Sequence, residues 1–159
     1  MNGLYVGTFD PITVGHLDII KRAADMFDKL YVLVSNNSAK HTLLAYNQRE
    51  YLVKLALQDI PNVEYLTGDV NKTTPDIMSD NNIRYIVRGA RNVADLQYEH
   101  SLYEDYLKIN PDIEEILLWS KVDVSSTFIR ECIKFHKWDV VKKYVPAEVA
   151  DELVLICHG

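Results

Sequence analysis

The chain has 159 residues, of which 48% are hydrophobic and 25% are charged, a composition typical of one globular domain. This composition excludes a disordered chain, and a chain of this length needs neither a disulfide nor a metal ion to hold its core. The formal net charge of -6 argues against a general nucleic-acid binder, which usually carries a basic face. A local cluster of arginine and lysine can still bind a phosphorylated small molecule.

The cysteine pattern and the apolar runs bear on the compartment. Cys132 and Cys157 are the two cysteines, and they fit neither a zinc-binding spacing nor a CxxC motif. The sequence contains no run of about 18 apolar residues, the length needed to span a membrane. The first residues lack the apolar stretch of a secretory signal. We therefore expect a cytoplasmic protein with reduced thiols and no membrane partner.

Short apolar runs alternate with helical patterns along the chain. Strands are predicted at 4–6, 30–34, 63–66, 83–87 and 116–119. Helices are predicted at 16–27, from 47, from 74, at 95–108, at 125–135 and from 146. This alternation predicts a single α/β domain over residues 1–159, Rossmann-like, with a five-stranded parallel sheet and helices on both faces.

Two helix starts carry specific signals. Asn47 followed by Glu50 fits a capping box. Thr74 followed by Pro75 fits a cap with proline at the first helical position. These patterns place the beginnings of the second and third helices.

The unusual polar segments all follow predicted strands. They are residues 8–16, 36–40, 73–74, 88–91 and 125–127. The carboxyl ends of parallel strands lie along one edge of the sheet, where such folds bind ligands. We therefore expect these segments to meet at one site.

His16 lies in the first of these segments, which contains two glycines and a proline and leads directly into a helix. Backbone N–H groups at a helix N-terminus bind phosphate, and the helix dipole favours anions there. A histidine at a helix start is, on its own, more typical of a residue that caps its helix. In this segment it is also a candidate donor to a phosphate oxygen.

The segment 7–16, GTFDPITVGH, is similar to the signature of the nucleotidyltransferase superfamily. Residues 14–16 stand at a variant of its HxGH motif, with Thr8 in the place of the first histidine. Residues 17–23 and 88–99 resemble one branch of that superfamily, the bacterial phosphopantetheine adenylyltransferases, and the resemblance covers essentially the whole chain. It implies transfer of the adenylyl group of ATP to 4′-phosphopantetheine, giving dephospho-coenzyme A and pyrophosphate.

The resemblance also implies a role for each matching residue. The catalytic residues would be His16, Thr8, Lys40 and Arg91. The acceptor would be bound by Thr8, Lys40, Thr74 and Arg88. ATP would be bound by Thr8, Phe9, His16, Gly89, Ala90, Arg91, Glu99, Lys121, Val122, Asp123, Val124, Ser125, Ser126 and Thr127.

The implied reaction joins a phosphate monoester to the α-phosphorus of ATP, so the enzyme must chiefly supply positioning and positive potential. A phosphate oxygen is already a nucleophile at pH 7, and no dedicated general base is needed. Mg²⁺ is expected to bridge the ATP phosphates and keep most of its waters, without a cage of protein ligands. The family further implies a homohexamer.

Some residues depart from the pattern of this branch. Residues 124–130, VSSTFIR, are closer to the ISSTxIR motif of nicotinate mononucleotide adenylyltransferases, in which Arg130 would be an additional phosphate ligand. On the acceptor side, unusual residues stand at Thr73, Thr74, Tyr106, Asn37 and Ala39.

These departures leave two alternatives open. One is an adenylyl- or cytidylyltransferase for another phosphorylated acceptor such as nicotinate mononucleotide, although the chain is short for a nicotinate enzyme. The other is a nucleotide-binding module without catalysis. The presence of Thr8, His16, Lys40, Arg88 and Arg91 argues against the module.

Overall fold

The computed structural model describes residues 1–36 and 41–158. The strands are β1 (Asn2–Gly7), β2 (Lys29–Val34), β3 (Val63–Tyr65), β4 (Tyr85–Ala90) and β5 (Glu114–Trp119). The helices are α1 (Val14–Ala24), α2 (Tyr46–Leu57), α3 (Thr74–Asp80), α4 (Val93–Ile109), α5 (Ser126–Lys134), α6 (Trp138–Tyr144) and α7 (Ala147–His158). Within the described ranges, no helix combines the length and the apolar character needed to cross a bilayer.

The sheet is parallel throughout, with strand order β3-β2-β1-β4-β5. The chain builds outward from β1 to β3, then returns to the other side of β1 and continues to β5. The order therefore reverses between β1 and β4. Ligands of such sheets bind outside the carboxyl ends of the strands at this reversal.

Helices cover both faces of the sheet, as the sequence predicts. On one face, Leu4 and Val6 of β1 belong to a core cluster with Ile77 and Met78 of α3. Tyr5 points to the opposite face, into a larger cluster built from α1, α2 and the three C-terminal helices. Successive side chains of a strand alternate between faces, so β1 contributes to both cores.

The capping box predicted at Asn47 is wrong. The N-cap position of α2 is Ala45, and its N–H donates to Oε1 of Gln48 at 2.9 Å. Glu50 instead accepts a hydrogen bond from the hydroxyl of Tyr65 on β3. The Glu50 carboxylate, which the local sequence assigned to the helix start, therefore binds a residue that is distant in sequence.

The third helix is capped by Thr73, one residue before the predicted cap Thr74. Thr73 Oγ1 accepts from the N–H of Asp76 at 3.3 Å, and the Asp76 carboxylate accepts from the N–H of Thr73 at 2.9 Å. Pro75 is consequently the second helical residue. Asp76 decides between the two threonines because the reciprocal box needs an acceptor three residues after the cap.

The fourth strand extends to Ala90, whereas the sequence predicts its end at Val87. Its pairing with β1 does stop at Val87, but its pairing with β5 continues through Arg88, Gly89 and Ala90. Residues 88–90 of β4 therefore pair with β5 on one side, and β1 does not pair with them on the other. Arg88 projects from a strand and not from a loop.

Two helices, α1 and α6, also differ from prediction. The first helix starts at Val14, two residues before His16, and ends at Ala24. The helix α6 has no predicted counterpart, because seven residues are too few to show a clear period. His136, with φ of 56°, separates α6 from α5.

Candidate active site

A cavity of about 340 Å³ opens where the strand order reverses, between the carboxyl ends of β1 and β4. Its size is within the usual range for small-molecule sites. The predicted site residues on its wall are Thr8, Phe9, His16, Arg88, Gly89, Arg91, Glu99, Val124, Ser125, Ser126 and Thr127. The structure thus brings together three segments that are far apart in sequence, after β1, at the end of β4 and after β5.

A second cavity, of about 260 Å³, adjoins the first. Lys121, Val122 and Asp123 line it. Arg91 and Ser120 line both cavities, so the two spaces share a wall. The 121–127 segment predicted to bind ATP is therefore divided between them.

Two predicted residues of the described structure line neither cavity, and a third cannot be placed. Ala90 is 2% exposed and packs in the interior. Thr74, at the start of α3, is absent from both walls. Lys40 lies outside the described residues.

The loop between β1 and α1 has a strained backbone at Phe9, where φ is 50°. This left-handed conformation is uncommon for a residue with a side chain and persists only where the surroundings enforce it. The Phe9 ring is 2% exposed. It meets the His16 ring edge-on at 4.9 Å between centroids and the Tyr5 ring at 5.7 Å. Burial of this ring fixes the loop and places the imidazole beside the cavity.

His16 is the third residue of α1 and caps its own helix. Its Nδ1 accepts from the N–H of Thr13 at 3.0 Å, and its own N–H donates to Thr13 Oγ1 at 3.3 Å. We assign the ring proton to Nε2 from this arrangement, because Nδ1 serves as an acceptor. Capping and ligand binding are therefore compatible, since each uses a different ring nitrogen.

The charge state of His16 follows from its surroundings. Burial, together with the positive charges of Arg91 and Arg88, lowers its pKa to about 4. At pH 7 the ring is neutral. It can donate a hydrogen bond through Nε2 but adds no formal charge to the cavity.

This lowered pKa predicts how stability depends on pH. In the unfolded chain the pKa of the imidazole returns to about 6.5, so the unfolded state binds more protons between pH 4 and 6.5. Stability due to His16 is thus complete above pH 6.5 and is lost as the pH falls towards 4, by at most about 1.4 kcal/mol per pH unit. We expect this loss in the wild type relative to His16→Gln, measured by urea unfolding from pH 8 to 4.5. A difference that stays constant over this range would contradict a neutral, buried His16.

Each arginine on the cavity wall is paired with a carboxylate. The pairs are Arg88 with Glu99 (2.7 and 2.9 Å), Arg91 with Asp95 (3.2 Å) and Arg130 with Asp10 (3.8 Å). The formal charges of these six residues cancel. The pairs hold the guanidinium groups in fixed orientations, which suits bidentate recognition of phosphate.

Arg88 is held most firmly of the three. Its side chain is 16% exposed, and its Nη1 also donates to the carbonyl of Val6 on β1 at 2.9 Å. Together with the two bonds to Glu99, this uses three of the five N–H groups. Two N–H groups are left for a ligand in the cavity.

Arg130 and Asp10 also belong to the cavity wall. Arg130 donates to the carbonyl of Asp10 at 3.1 Å and to Thr127 Oγ1 at 3.0 Å. The VSSTFIR segment marks Arg130 in the sequence. No local signal marks Asp10, because an aspartate before proline is typical of an ordinary turn.

The described residues offer no built metal site, since no three His, Cys, Asp or Glu side chains are placed to hold an ion. The cavity carboxylates already have protein donors. Asp10 accepts from the N–H groups of Leu43 and Leu44, Asp95 from Arg91, and Glu99 from Arg88. Because these carboxylates already accept hydrogen bonds from protein N–H groups, they do not fit the role of protein ligands to a metal ion.

On this sheet topology, a neutral donor and oriented arginines beside a helix N-terminus suit the transfer of a nucleotidyl group, and comparisons with known proteins place the chain in that class. Residues 4–146 match the cytidylyltransferase-like family. The chain is 37% identical to the phosphopantetheine adenylyltransferase of Lactobacillus helveticus, over 94% of this chain and 92% of that protein. It is 38% identical to the Streptococcus mutans protein of the same name, over 99% and 95%. The chain belongs to the phosphopantetheine adenylyltransferase family.

A solved structure supports the fold. The Plasmodium falciparum nicotinic acid mononucleotide adenylyltransferase, complexed with NaAD, is similar with a TM-score of 0.65 over 93% of this chain and 92% of that chain. At 16% identity, this likeness shows a shared architecture and does not bear on the acceptor.

Proposed function

We propose that this protein transfers the adenylyl group of ATP to 4′-phosphopantetheine, forming dephospho-coenzyme A and pyrophosphate. The observation that carries the proposal is the meeting of Thr8, His16 and Arg88 at one cavity in a chain 37% identical to a relative named for this reaction. The cavity lies where the fold binds ligands.

The proposed step is an in-line displacement at phosphorus. An oxygen of the acceptor phosphate forms a bond to the α-phosphorus of ATP, and the bond between that phosphorus and the bridging oxygen to the β-phosphate breaks. The electron pair leaves with pyrophosphate. The protein contributes by aligning two anions and by stabilising the charge that develops on the α-phosphate.

Each side chain has a defined part in this step. Arg88 presents its two remaining N–H groups to the acceptor phosphate, with Thr8 at the end of β1 beside it. His16 donates from Nε2 to the phosphate whose charge increases. The first turn of α5, capped by Ser125, offers the ATP phosphates the positive end of a nine-residue helix.

Mg²⁺ enters as part of the substrate MgATP. The carboxylates of the described cavity are occupied by protein donors, and Mg²⁺ typically keeps several waters when it binds nucleotide phosphates. Since the three arginines of the wall are each offset by a carboxylate, the metal ion and Lys40 supply much of the positive charge that the triphosphate requires.

The VSSTFIR segment is the feature that raises nicotinate mononucleotide as an alternative acceptor. Arg130, the basic residue of the VSSTFIR segment, does lie on the cavity wall. Its contacts to Asp10 and Thr127 are close to the ATP side in our assignment, so they bear on the nucleotide more than on the acceptor.

The proposal is tested by incubating the protein with MgATP and 4′-phosphopantetheine. We expect pyrophosphate and dephospho-coenzyme A in equal amounts, the latter identified by mass spectrometry. Pyrophosphate without dephospho-coenzyme A would show hydrolysis of ATP instead of transfer. The absence of both products would contradict the proposed function.

We further propose that the protein acts in the cytoplasm as a homohexamer arranged as a dimer of trimers. Glu99 is the one buried residue of α4, a helix of 17 residues, and Val93 and Ile109 at its ends are exposed. The edge strand β5 also exposes Leu117 and Trp119. Unpaired edges and apolar side chains of this kind are commonly covered by another copy of the chain.

Changing β5 tests this assembly. We expect Leu117→Lys combined with Trp119→Glu to reduce the sedimenting mass of the hexamer, because charges would be buried unpaired at the contact. A matched change at the exposed Leu155 of α7, Leu155→Lys, controls for added charge. A wild type that sediments as a single 18.3 kDa chain would contradict the proposed assembly.

A further inference from the structure

Arg22, in the last turn of α1, joins that helix to the end of β5. Its Nη1 donates to the carbonyl of Trp119, the last residue of β5, at 2.9 Å. The same nitrogen donates to the carboxylate of Asp18 at 2.9 Å, and the side chains of this pair are 26% and 27% exposed. One nitrogen therefore connects an ion pair within α1 to a backbone carbonyl that is 97 residues away in the sequence.

The Trp119 carbonyl belongs to a peptide unit that is held from two sides. The N–H of the same unit, which is that of Ser120, donates to the carbonyl of Ala90 on β4 at 2.8 Å. The sheet thus holds one side of this unit, and α1 holds the other. Ser120 lines both cavities, so the unit lies where β5 ends and the cavity wall begins.

The segment that follows, residues 120–124, packs against the start of the same helix. Ser120 Oγ donates to the carbonyl of Val122 at 2.8 Å, and the N–H of Val124 donates to that carbonyl at 3.1 Å. A Cβ atom at Gly15 would lie only 3.2 Å from Val124 Cγ1, so helix and segment are in close contact there. Helix α1 therefore holds the chain both where it enters this segment and where it leaves it.

We propose that Arg22 is a positioning residue, which fixes the segment 120–124 and thereby sets the affinity of the protein for ATP. The inference rests on the proposed function, in which residues 121–127 bind ATP. An ion pair between residues four apart on a helix surface contributes little to stability, so the contact to the carbonyl is the one that matters for the cavity. Arg88, which binds the acceptor in our assignment, is held by bonds of its own to β1 and α4. We therefore expect a larger effect on ATP than on the acceptor.

Arg22→Met tests this role, because it keeps an unbranched apolar stem and removes the donor. We expect the equilibrium Kd for MgATP, measured by calorimetry, to rise at least about fivefold, since a hydrogen bond from a charged donor is lost. The KM for 4′-phosphopantetheine at saturating MgATP should change less than about twofold. Amide hydrogen exchange at Ser120, measured without ligands, should become faster.

Arg22→Lys should keep most of the affinity for MgATP. Both contacts of Arg22 are made by a single nitrogen, and an ammonium group carries enough donors to replace it. The planar fork, which lysine cannot reproduce, is not used here.

Asp18→Ala is the matched control. It removes the same ion pair from α1 but leaves the bond from Arg22 to the Trp119 carbonyl in place. We expect a small loss of stability, while the Kd for MgATP and the hydrogen exchange at Ser120 stay close to wild type. A role of Arg22 in helix stability alone would instead give equal effects in Asp18→Ala and Arg22→Met.

The inference is overturned if the Kd for MgATP is unchanged in Arg22→Met, if it rises equally in Asp18→Ala or Arg22→Lys, or if the KM for the acceptor rises by as much. Failure of the proposed function is recognised separately, since the wild type would then bind MgATP without forming dephospho-coenzyme A from 4′-phosphopantetheine. In that case the Kd for MgATP and the exchange at Ser120 still decide whether Arg22 positions the segment. A wild type that binds no MgATP would overturn both.

Discussion

Replacing His16 with alanine is expected to lower kcat by about 10²–10³-fold while the Kd for ATP stays within a few fold. The effect falls on kcat because the Nε2 donor acts on charge that develops during the reaction, and loss of one such donor typically costs this much. Because the ring is already neutral at pH 7, the loss should be similar from pH 6.5 to 8. Single-turnover kinetics with MgATP and 4′-phosphopantetheine measure it.

The same change also removes half of the cap of α1, so a control must separate the two effects. Thr13→Ala removes the Oγ1 that accepts from the N–H of His16, at a cost of about 1 kcal/mol in stability. It leaves the backbone N–H of residue 13 to hold Nδ1 and thus keeps the proton on Nε2. We expect Thr13→Ala to retain most of kcat. A His16→Ala variant with turnover near wild type would show that the imidazole has no catalytic role.

Replacing Arg88 with alanine is expected to raise the KM for the acceptor far more than the KM for ATP. The variant loses ground-state contacts to the acceptor phosphate and leaves the segment after β5, which binds ATP in our assignment, unchanged. It also leaves the carboxylate of Glu99, a residue that is 7% exposed, buried without its partner. Breaking a buried pair in this way typically costs about 3–5 kcal/mol, so the unfolding free energy should fall as well.

A double variant separates binding from stability. Arg88→Ala with Glu99→Gln removes the unpaired charge, and we expect it to recover part of the unfolding free energy without recovering the acceptor KM. Arg88→Lys keeps a charge next to Glu99 but loses the bidentate geometry, so it should rescue acceptor binding only in part. An equal rise in both KM values, or recovery of the acceptor KM by the double variant, would refute the assignment of Arg88 to the acceptor.

Features set by short stretches of sequence were predictable. The alternation of apolar runs and helical patterns predicted the five parallel strands, and the segment 7–16 predicted a loop that lines the cavity. The helix predicted from residue 125 begins at that point, where Ser125 caps it. In each case the residues that decide the structure are neighbours in the chain.

Features set by partners distant in sequence were not predictable. Glu50 was expected to cap α2 but binds Tyr65, and β4 is prolonged past Val87 only because β5 continues to pair with it. The pairing of Arg88 with Glu99 joins a strand to a helix eleven residues away, and its effect on the charge of the cavity cannot be read from the motif that contains both residues.

Arg49 is the clearest example of a residue whose contacts could not be predicted from the sequence. In the sequence it is an ordinary polar residue of an amphipathic helix, and only the folded chain shows its three carbonyl partners. The resemblance to a family assigns roles to residues that face the substrates. The structure adds buried residues behind them, such as Arg49, which joins the loop after β1 to Ser35 and Leu44.

A competition experiment between two phosphorylated acceptors tests the identity of the acceptor. Wild-type protein is given MgATP with equal concentrations of 4′-phosphopantetheine and nicotinate mononucleotide, and both adenylylated products are quantified by mass spectrometry over the first turnovers. We predict that dephospho-coenzyme A exceeds the dinucleotide by at least about tenfold, as expected when one acceptor fits the site and the other does not. A dinucleotide in excess would rule out 4′-phosphopantetheine as the preferred acceptor and assign the cavity to a different phosphorylated acceptor.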